Sequence, residues 1–155
     1  MNNFFIFSAK YLFALPVIIL GWYFLRSSEH SKKNMTVFAL SALAVTYLTS
    51  LVCGHFYFDP RPFVVGHFIP LIPHAPDNGF PSDHALLTSA LAMVGIFWNK
   101  KLGIILWILA LIISVARVYV GVHHPVDVIG SMVISIIIIS LIYLIFKHVL
   151  HKEII

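Results

Sequence analysis

The chain has 155 residues, 60% of them hydrophobic and 10% charged, against about 25% charged in an ordinary soluble domain. Sixteen formal charges cannot cover a 17.5 kDa globule of mean hydropathy +0.96, so a water-soluble fold is excluded and most of the outer surface must face lipid. The net charge of +4 comes from ten Lys and Arg scattered between apolar runs, which form no continuous basic face, so nucleic acid is not an expected partner.

Five apolar runs follow one another: Phe4 to Leu25, Met35 to Gly54, Ala85 to Trp98, Leu102 to Val120 and Val126 to Phe146. In hydrocarbon a backbone amide has no water to turn to, so each run has to satisfy its own hydrogen bonds as a helix. The sequence therefore predicts an all-α integral membrane protein, a single domain over residues 1–155, built as a bundle of about five transmembrane helices. The first run carries Lys10 and Pro16, which leaves open whether its N-terminal turns cross or lie along the interface. It lacks an A-x-A-like cleavage site and reads as retained. The third run is short and approaches a spanning length only if its helix begins at Pro81 or Ser82. Cys53, the single cysteine, lies inside the second run and reads as a small buried hydrophobe that can form no intramolecular disulfide.

The connection from His55 to Phe80 holds Pro60, Pro62, Pro70, Pro73 and Pro76, with Pro81 one residue beyond, so it is not expected to be helical. Its Phe, Val, Ile and His content is not that of a disordered segment, and an ordered cap over a site is expected. Arg26, Lys32 and Lys33 follow the first run, Lys100 and Lys101 the third, and Lys147 and Lys152 the fifth: seven of ten basic side chains on one side. Basic residues near span ends stay cytoplasmic. The N-terminus is therefore expected outside, the C-terminus in the cytoplasm, and the proline-rich loop extracytoplasmic. Trp22, Tyr23 and Trp98 near run ends read equally as interfacial anchors or as core or lipid-facing aromatics.

Polarity collects in three blocks on the outer side: Asp59-Pro60-Arg61-Pro62, Pro81-Ser82-Asp83-His84, and Arg117 followed by His123 and Asp127. The first succeeds run two, the second opens run three and the third joins runs four and five, so topology brings all three to one end of the bundle. A charge at membrane depth costs about 2.5–3.5 kcal/mol on insertion scales, which favours convergence on a site. Ser82, after a proline and before an apolar run, is a natural N-cap, and the free amides of such a helix end bind anions; alone it would read as nothing more than a cap. Pro125 suits the first turn of the last helix, so Asp127 can reach back to one ring nitrogen of His123, leaving the other as an exposed nucleophile or base. Arg61 and Arg117 supply planar donor forks matched to phosphate oxygens, although either alone would also suit an interfacial, snorkelling role.

Together these blocks resemble the three signature motifs of the type-2 phosphatidic acid phosphatase superfamily, in order and spacing, with all three lying between Arg61 and Asp127. The strings Phe80-Pro81-Ser82-Asp83-His84 and Tyr119-Val120-Gly121-Val122-His123-His124-Pro125 look particularly like the bacitracin-resistance branch of bacterial undecaprenyl-diphosphate phosphatases. The resemblance implies a metal-independent enzyme without cofactors that forms a phosphohistidine. On that carry-over His123 attacks phosphorus, Asp127 orients it, His84 protonates the leaving oxygen, and Arg61, Ser82 and Arg117, with the amide of Asp83, hold the phosphoryl oxygens. The implied substrate is a polyprenyl diphosphate whose tail stays in the bilayer of a bacterial inner membrane. Phosphatidic acid or phosphatidylglycerol phosphate is the nearest rival substrate.

The resemblance has departures. Gly54 stands where the superfamily's first motif has a lysine, Ala116 precedes Arg117 where serine is usual, and Asp83 replaces the second motif's glycine. His55 or His74 is a candidate to stand in for the lysine, and either reads equally as a loop filler. Asp83 is expected to favour the protonated form of His84 by attraction. A rival of another class is a His-rich metal-binding membrane protein, prompted by His55, His67, His74, His84, His123 and His124 on one side. It is weakened by the lack of a His-Glu-x-x-His pattern or cysteine cluster and by two arginines nearby.

Overall fold

A computed structural model describes residues 2–149. Seven helices follow in order: α1 (Asn2–Lys10), α2 (Ala14–Arg26), α3 (Glu29–Phe56), α4 (Pro62–Val65), α5 (Asp83–Trp98), α6 (Lys100–Tyr119) and α7 (Pro125–Val149). No strand occurs among the described residues, and the one backbone bridge joins Pro60 to Asn78 within the long loop.

Among the described residues three helices, α3, α6 and α7, are long and apolar enough to cross a membrane. The first apolar run is not one straight helix, because α1 and α2 meet at a 51° bend. With 16 residues α5 is about 24 Å long at 1.5 Å per residue, short of the roughly 30 Å hydrocarbon layer. It is also the helix most enclosed by protein: eleven of its residues, from Ala85 to Trp98, are buried.

Small residues explain that enclosure. A Cβ on Gly103 of α6 would collide with the backbone of Ile96, so these two helices touch main chain to main chain. Between α5 and α7 the contact is a ladder of hydroxyls. Ser89 Oγ donates to Ser135 Oγ at 2.9 Å, Ser135 Oγ lies 3.2 Å from the Leu86 carbonyl, and Ser131 Oγ reaches the Ser82 carbonyl at 3.0 Å. In lipid, where apolar burial does not drive helices together, close approach of small residues and interhelical hydrogen bonds do.

At the end of the bundle carrying Arg26, Lys32, Lys100 and Lys147, an aromatic cluster closes the core. Phe38 packs on Trp98, Tyr143 and Phe146, and Trp98 Nε1 donates to Ser31 Oγ at 3.2 Å. Trp98 is thus a buried core residue, whereas Trp22 is exposed with the Arg26 guanidinium 4.6 Å over its ring. Tyr23 is partly buried against this cluster, and Cys53 is half-exposed on α3 instead of buried. Lys152 lies outside the described residues.

The opposite end carries the proline-rich loop. It contains one helical turn, α4, which begins at Pro62, where a missing N–H costs nothing. Asn78 ties the loop down: its Oδ1 accepts from the amides of Asp59 (2.9 Å) and Phe80 (3.0 Å), and its Nδ2 donates to the carbonyls of Gly54 (2.9 Å) and Tyr57 (3.1 Å). Leu71 N–H bonds the Val120 carbonyl at 3.0 Å, and Ile72 is buried with Ala9, Ala116, Val120 and Val122. The expected ordered cap is this loop, folded onto the ends of α1, α6 and α7.

Candidate active site

All three polar blocks meet beneath the loop. Arg61 follows α3, Ser82 caps α5, Arg117 lies in the last turn of α6, and His123 and Asp127 flank the start of α7. A tight turn joins the last two helices, with Gly121 at φ +81°, a value other residues rarely adopt.

His123 is 2% exposed. Its Nδ1 has two neighbours, the Asp127 carboxylate (3.2 Å) and the Gly79 carbonyl (3.0 Å), and both are acceptors. The proton of a neutral ring therefore sits on Nδ1, which leaves the lone pair on Nε2. Against Nε2 stand Arg61 Nη1 at 3.4 Å and Arg117 Nη2 at 3.3 Å. Burial, with the two guanidiniums adding to it against the opposing pull of Asp127, holds the imidazole below its ordinary pKa, so it is neutral at pH 7. The expected exposed nitrogen is instead buried, because Arg61 and the loop close over it.

Arg61 is buried and heavily engaged. Nε donates to Asp77 Oδ1 at 2.7 Å, Nη1 to the Val122 carbonyl at 2.8 Å and Nη2 to the Asn78 carbonyl at 3.2 Å. Arg117 is equally buried but less satisfied: Nη1 reaches the Ala9 carbonyl at 3.4 Å, and Nε has no partner among the described residues. Ser82 Oγ, fully buried, also lacks a partner, although the residue is the N-cap of α5 as expected. A buried hydroxyl without a hydrogen bond costs about 1–3 kcal/mol. Such a group at a helix N-terminus suits an anion.

His84, in the first turn of α5, is edge-on to Phe13 at 5.0 Å and within electrostatic reach of Arg117, His123 and His74. The Asp83 side chain is exposed and lines a groove with Leu43, Thr46, Tyr47 and Leu87, because adjacent helical residues point in different directions. The expected attraction between Asp83 and His84 is therefore screened by solvent. The Asp83 backbone amide remains the first free donor of α5.

A second layer escaped the sequence reading. His124 donates its N–H to Asp127 Oδ2 at 2.8 Å, and its Nδ1 lies 3.0 Å from Asp59 Oδ2. Burial and the nearby Asp127 carboxylate hold Asp59 above the ordinary carboxylate range, against the pull of His124. Gly79 has to be glycine, since a Cβ there would meet Asp127 Oδ2 at 2.9 Å. The Asn78-Gly79 dipeptide, a turn signal, was the visible cue. Gly54, at the position of the missing lysine, is packed by the loop, with the Phe80 carbonyl 3.0 Å from where a Cβ would stand. Of the two substitutes considered for that lysine, His55 is exposed against Phe56 and His74 reaches the site.

Asp59, His124 and Asp127 place ligand atoms within 4.8 Å of one another and form the group among the described residues that can hold a metal ion. The contacts just given already tie these side chains into one hydrogen-bonded set, with Asp127 also serving His123.

The model of the PAP2 superfamily matches residues 35–150. The chain belongs to the PAP2 superfamily. Undecaprenyl-diphosphatase BcrC of Bacillus subtilis is 37% identical over 141 residues, which cover 89% of this chain and 71% of that one. Among solved structures, Aquifex aeolicus LpxE superposes with a TM-score of 0.70 at 24% identity, covering 91% of this chain and 81% of that one. A transmembrane PAP2-type phosphatidylglycerolphosphate phosphatase from Bacillus subtilis gives 0.66 at 23% identity, over 96% and 75%. These two share the PAP2 fold of helices seen here, and residues 61–127, which carry the three blocks, lie inside the matched region.

Proposed function

We propose that this chain is a membrane phosphatase that hydrolyses undecaprenyl diphosphate, or a closely related polyprenyl diphosphate, to the monophosphate and inorganic phosphate. The observation that carries the reading is His123: its Nδ1 is backed by the Asp127 carboxylate, and its Nε2 lone pair is flanked by two guanidiniums at 3.3 and 3.4 Å. The relative BcrC, named an undecaprenyl-diphosphatase, supports the substrate.

Each residue then has a task. Nε2 of His123 attacks the terminal phosphorus, the bond from phosphorus to the bridging oxygen breaks, and His84 delivers its proton to that oxygen. Asp127 stabilises the positive charge that grows on the imidazole. Water, deprotonated by the now neutral His84, cleaves the phosphohistidine and releases phosphate. Phosphoryl transfer leaves charge on the equatorial oxygens, so Arg61, Arg117, the Ser82 hydroxyl and the Asp83 amide contribute by holding them.

The single domain spans 1–155. It sits in a bacterial inner membrane with the N-terminus and site outside and the C-terminus in the cytoplasm, as the basic ends of the helices opposite the site favour. The lipid tail stays in the bilayer while the headgroup enters beneath the loop.

Purified protein should release phosphate from undecaprenyl diphosphate, keep doing so in excess chelator, and yield an acid-labile, base-stable phosphoprotein on rapid quenching. His123→Ala should abolish both turnover and the phosphoprotein. Turnover near wild type in His123→Ala would refute the assignment. Preferential hydrolysis of phosphatidic acid or phosphatidylglycerol phosphate would refute the substrate, and inactivation by chelator would restore the metal reading.

A further inference from the structure

The proline-rich loop places one more imidazole at the site. His74 is half-buried, with its ring 6.2 Å from that of His123 and nearly perpendicular to it. It is held there from both sides. Upstream, Leu71 bonds Val120 and Ile72 is buried; downstream, Asp77 grips Arg61 and Asn78 grips α3. Pro73 and Pro76 bracket it and fix φ at their own positions, so little conformational entropy is left for the loop to lose when a ligand arrives.

Among the described residues the ring itself has little to hold. His74 Nδ1 lies 3.2 Å from the carbonyl of its own neighbour Ala75 and 3.8 Å from Asp77, and Nε2 has no hydrogen-bond partner among the described residues. The charged groups facing the ring are Arg61 and Asp77 from the loop and Arg117 from α6, with His84 on α5 and His123 before α7 also in reach. Burial and both guanidiniums hold His74 below its ordinary pKa. A phosphate group bearing about −1.5 to −2 charges at pH 7 would reverse that balance and favour a proton on the ring.

The geometry points to His74 as a further substrate-contacting residue, which hydrogen-bonds the phosphate oxygens together with Arg61 and Arg117 and takes up a proton as the anion binds. This rests on the phosphatase reading above and adds to it a binding group from outside the three motif blocks.

The test uses full-length protein in detergent with undecaprenyl diphosphate as substrate and inorganic phosphate as competing anion, in wild type, His74→Ala and His74→Lys. In His74→Ala, KM and the inhibition constant of phosphate rise about tenfold, as for loss of one charge-assisted hydrogen bond, while kcat changes by less than about threefold. His74→Lys restores both constants. Because its charge is fixed, phosphate inhibition in this variant weakens less steeply from pH 6 to pH 8 than in wild type. Phosphate itself titrates alike in every variant, and His74→Ala shows the pH dependence that is left when position 74 carries no titrating group. The phosphate-dependent rise in thermal unfolding temperature measures the same affinity without turnover, which keeps a slowed variant informative. An inhibition constant in His74→Ala within twofold of wild type overturns the inference, as does a lysine variant no better than alanine. An active wild type with an unaltered His74→Ala fails this inference alone; a wild type that does not hydrolyse the diphosphate fails the phosphatase reading and takes this with it.

Discussion

Replacing Asp127 by asparagine separates charge from geometry at the nucleophile. Asp127 Oδ2 accepts from His123 Nδ1 at 3.2 Å and from the His124 amide at 2.8 Å, while Oδ1 has no partner among the described residues. An asparagine oxygen in the Oδ2 position keeps both hydrogen bonds, and its NH2 then takes the Oδ1 position, which no hydrogen bond of the described residues occupies. The fold and the His123 tautomer survive, and only the negative charge is lost. When Nε2 bonds to phosphorus the imidazole becomes cationic, with its charge centre roughly 4 Å from the carboxylate; at an effective dielectric of about 20 that attraction is about 4 kcal/mol. The expected loss in kcat is therefore about 10³-fold, with KM unchanged or lowered because one negative charge has left the anion site. The acidic limb of the pH profile moves as well. His123 attacks only when neutral, and Asp127 is the group that resists the lowering of its pKa. Without the carboxylate the pKa falls further, and activity persists to lower pH. Single-turnover phosphate release across pH 5 to 8 measures both effects. A variant within tenfold of wild type, or an acidic limb moved upward, would refute the reasoning.

Ser82→Ala removes a fully buried hydroxyl that has no partner among the described residues, so its thermal unfolding temperature should match or exceed wild type while kcat/KM falls about tenfold; a parallel loss of stability would contradict a role in binding. Asp77 is 60% exposed where it pairs with Arg61, so Asp77→Asn should cost under about 1 kcal/mol of stability. It should lower KM, because the asparagine oxygen still accepts from Arg61 Nε while the negative charge beside the anion site is gone, and a raised KM counts against this. Gly103→Ala forces a methyl group against the backbone of Ile96 and should destabilise by about 1–3 kcal/mol, read as a lower unfolding temperature in detergent at unchanged KM.

What the sequence made legible was whatever depends on local spacing. The four-residue step from His123 to Asp127 and the proline that opens α7 predict the ring-to-carboxylate contact, and topology alone brings Arg61, Ser82 and Arg117 to the same end. The remainder depends on the path of a loop whose contacts span large sequence separations. The pairing of Asp77 with Arg61, the Gly79 carbonyl on His123 and the reach of His124 to Asp59 follow from how that loop folds over α6 and α7. The same path buries Nε2 of His123, which spacing alone presented as exposed. Asp83 misled because proximity in sequence is not proximity on a helix surface, whereas Trp98, which spacing left open between anchor and core, turns inward where the Ser31 hydroxyl takes its N–H.

Helix packing and the site are joined by the same bonds. The hydroxyl ladder between α5 and α7 ends at Ser131, whose Oγ lies 3.0 Å from the Ser82 carbonyl and 2.8 Å from the Asp127 carbonyl, while Ser82 N–H points to the Asp127 carbonyl at 3.4 Å. One hydroxyl thus touches the residue that opens α5, beside the free amides and His84, and the residue that backs the nucleophile on α7. In a soluble protein, apolar burial would fix this spacing from a distance. Here the outer faces of the helices meet lipid, and the polar contacts that hold two helices together also set the separation between His84 and His123, the proposed acid and nucleophile. The α5–α7 interface buries few large side chains near Ser82, and its small serines allow the helix starts to approach closely enough for both to address one phosphate. Ser82, at the end of that ladder, and Arg117, on α6, carry the side-chain atoms Oγ and Nε that have no partner among the described residues. Their cost of about 1–3 kcal/mol each is borne by packing deeper in the bundle and is offset when an anion accepts from them.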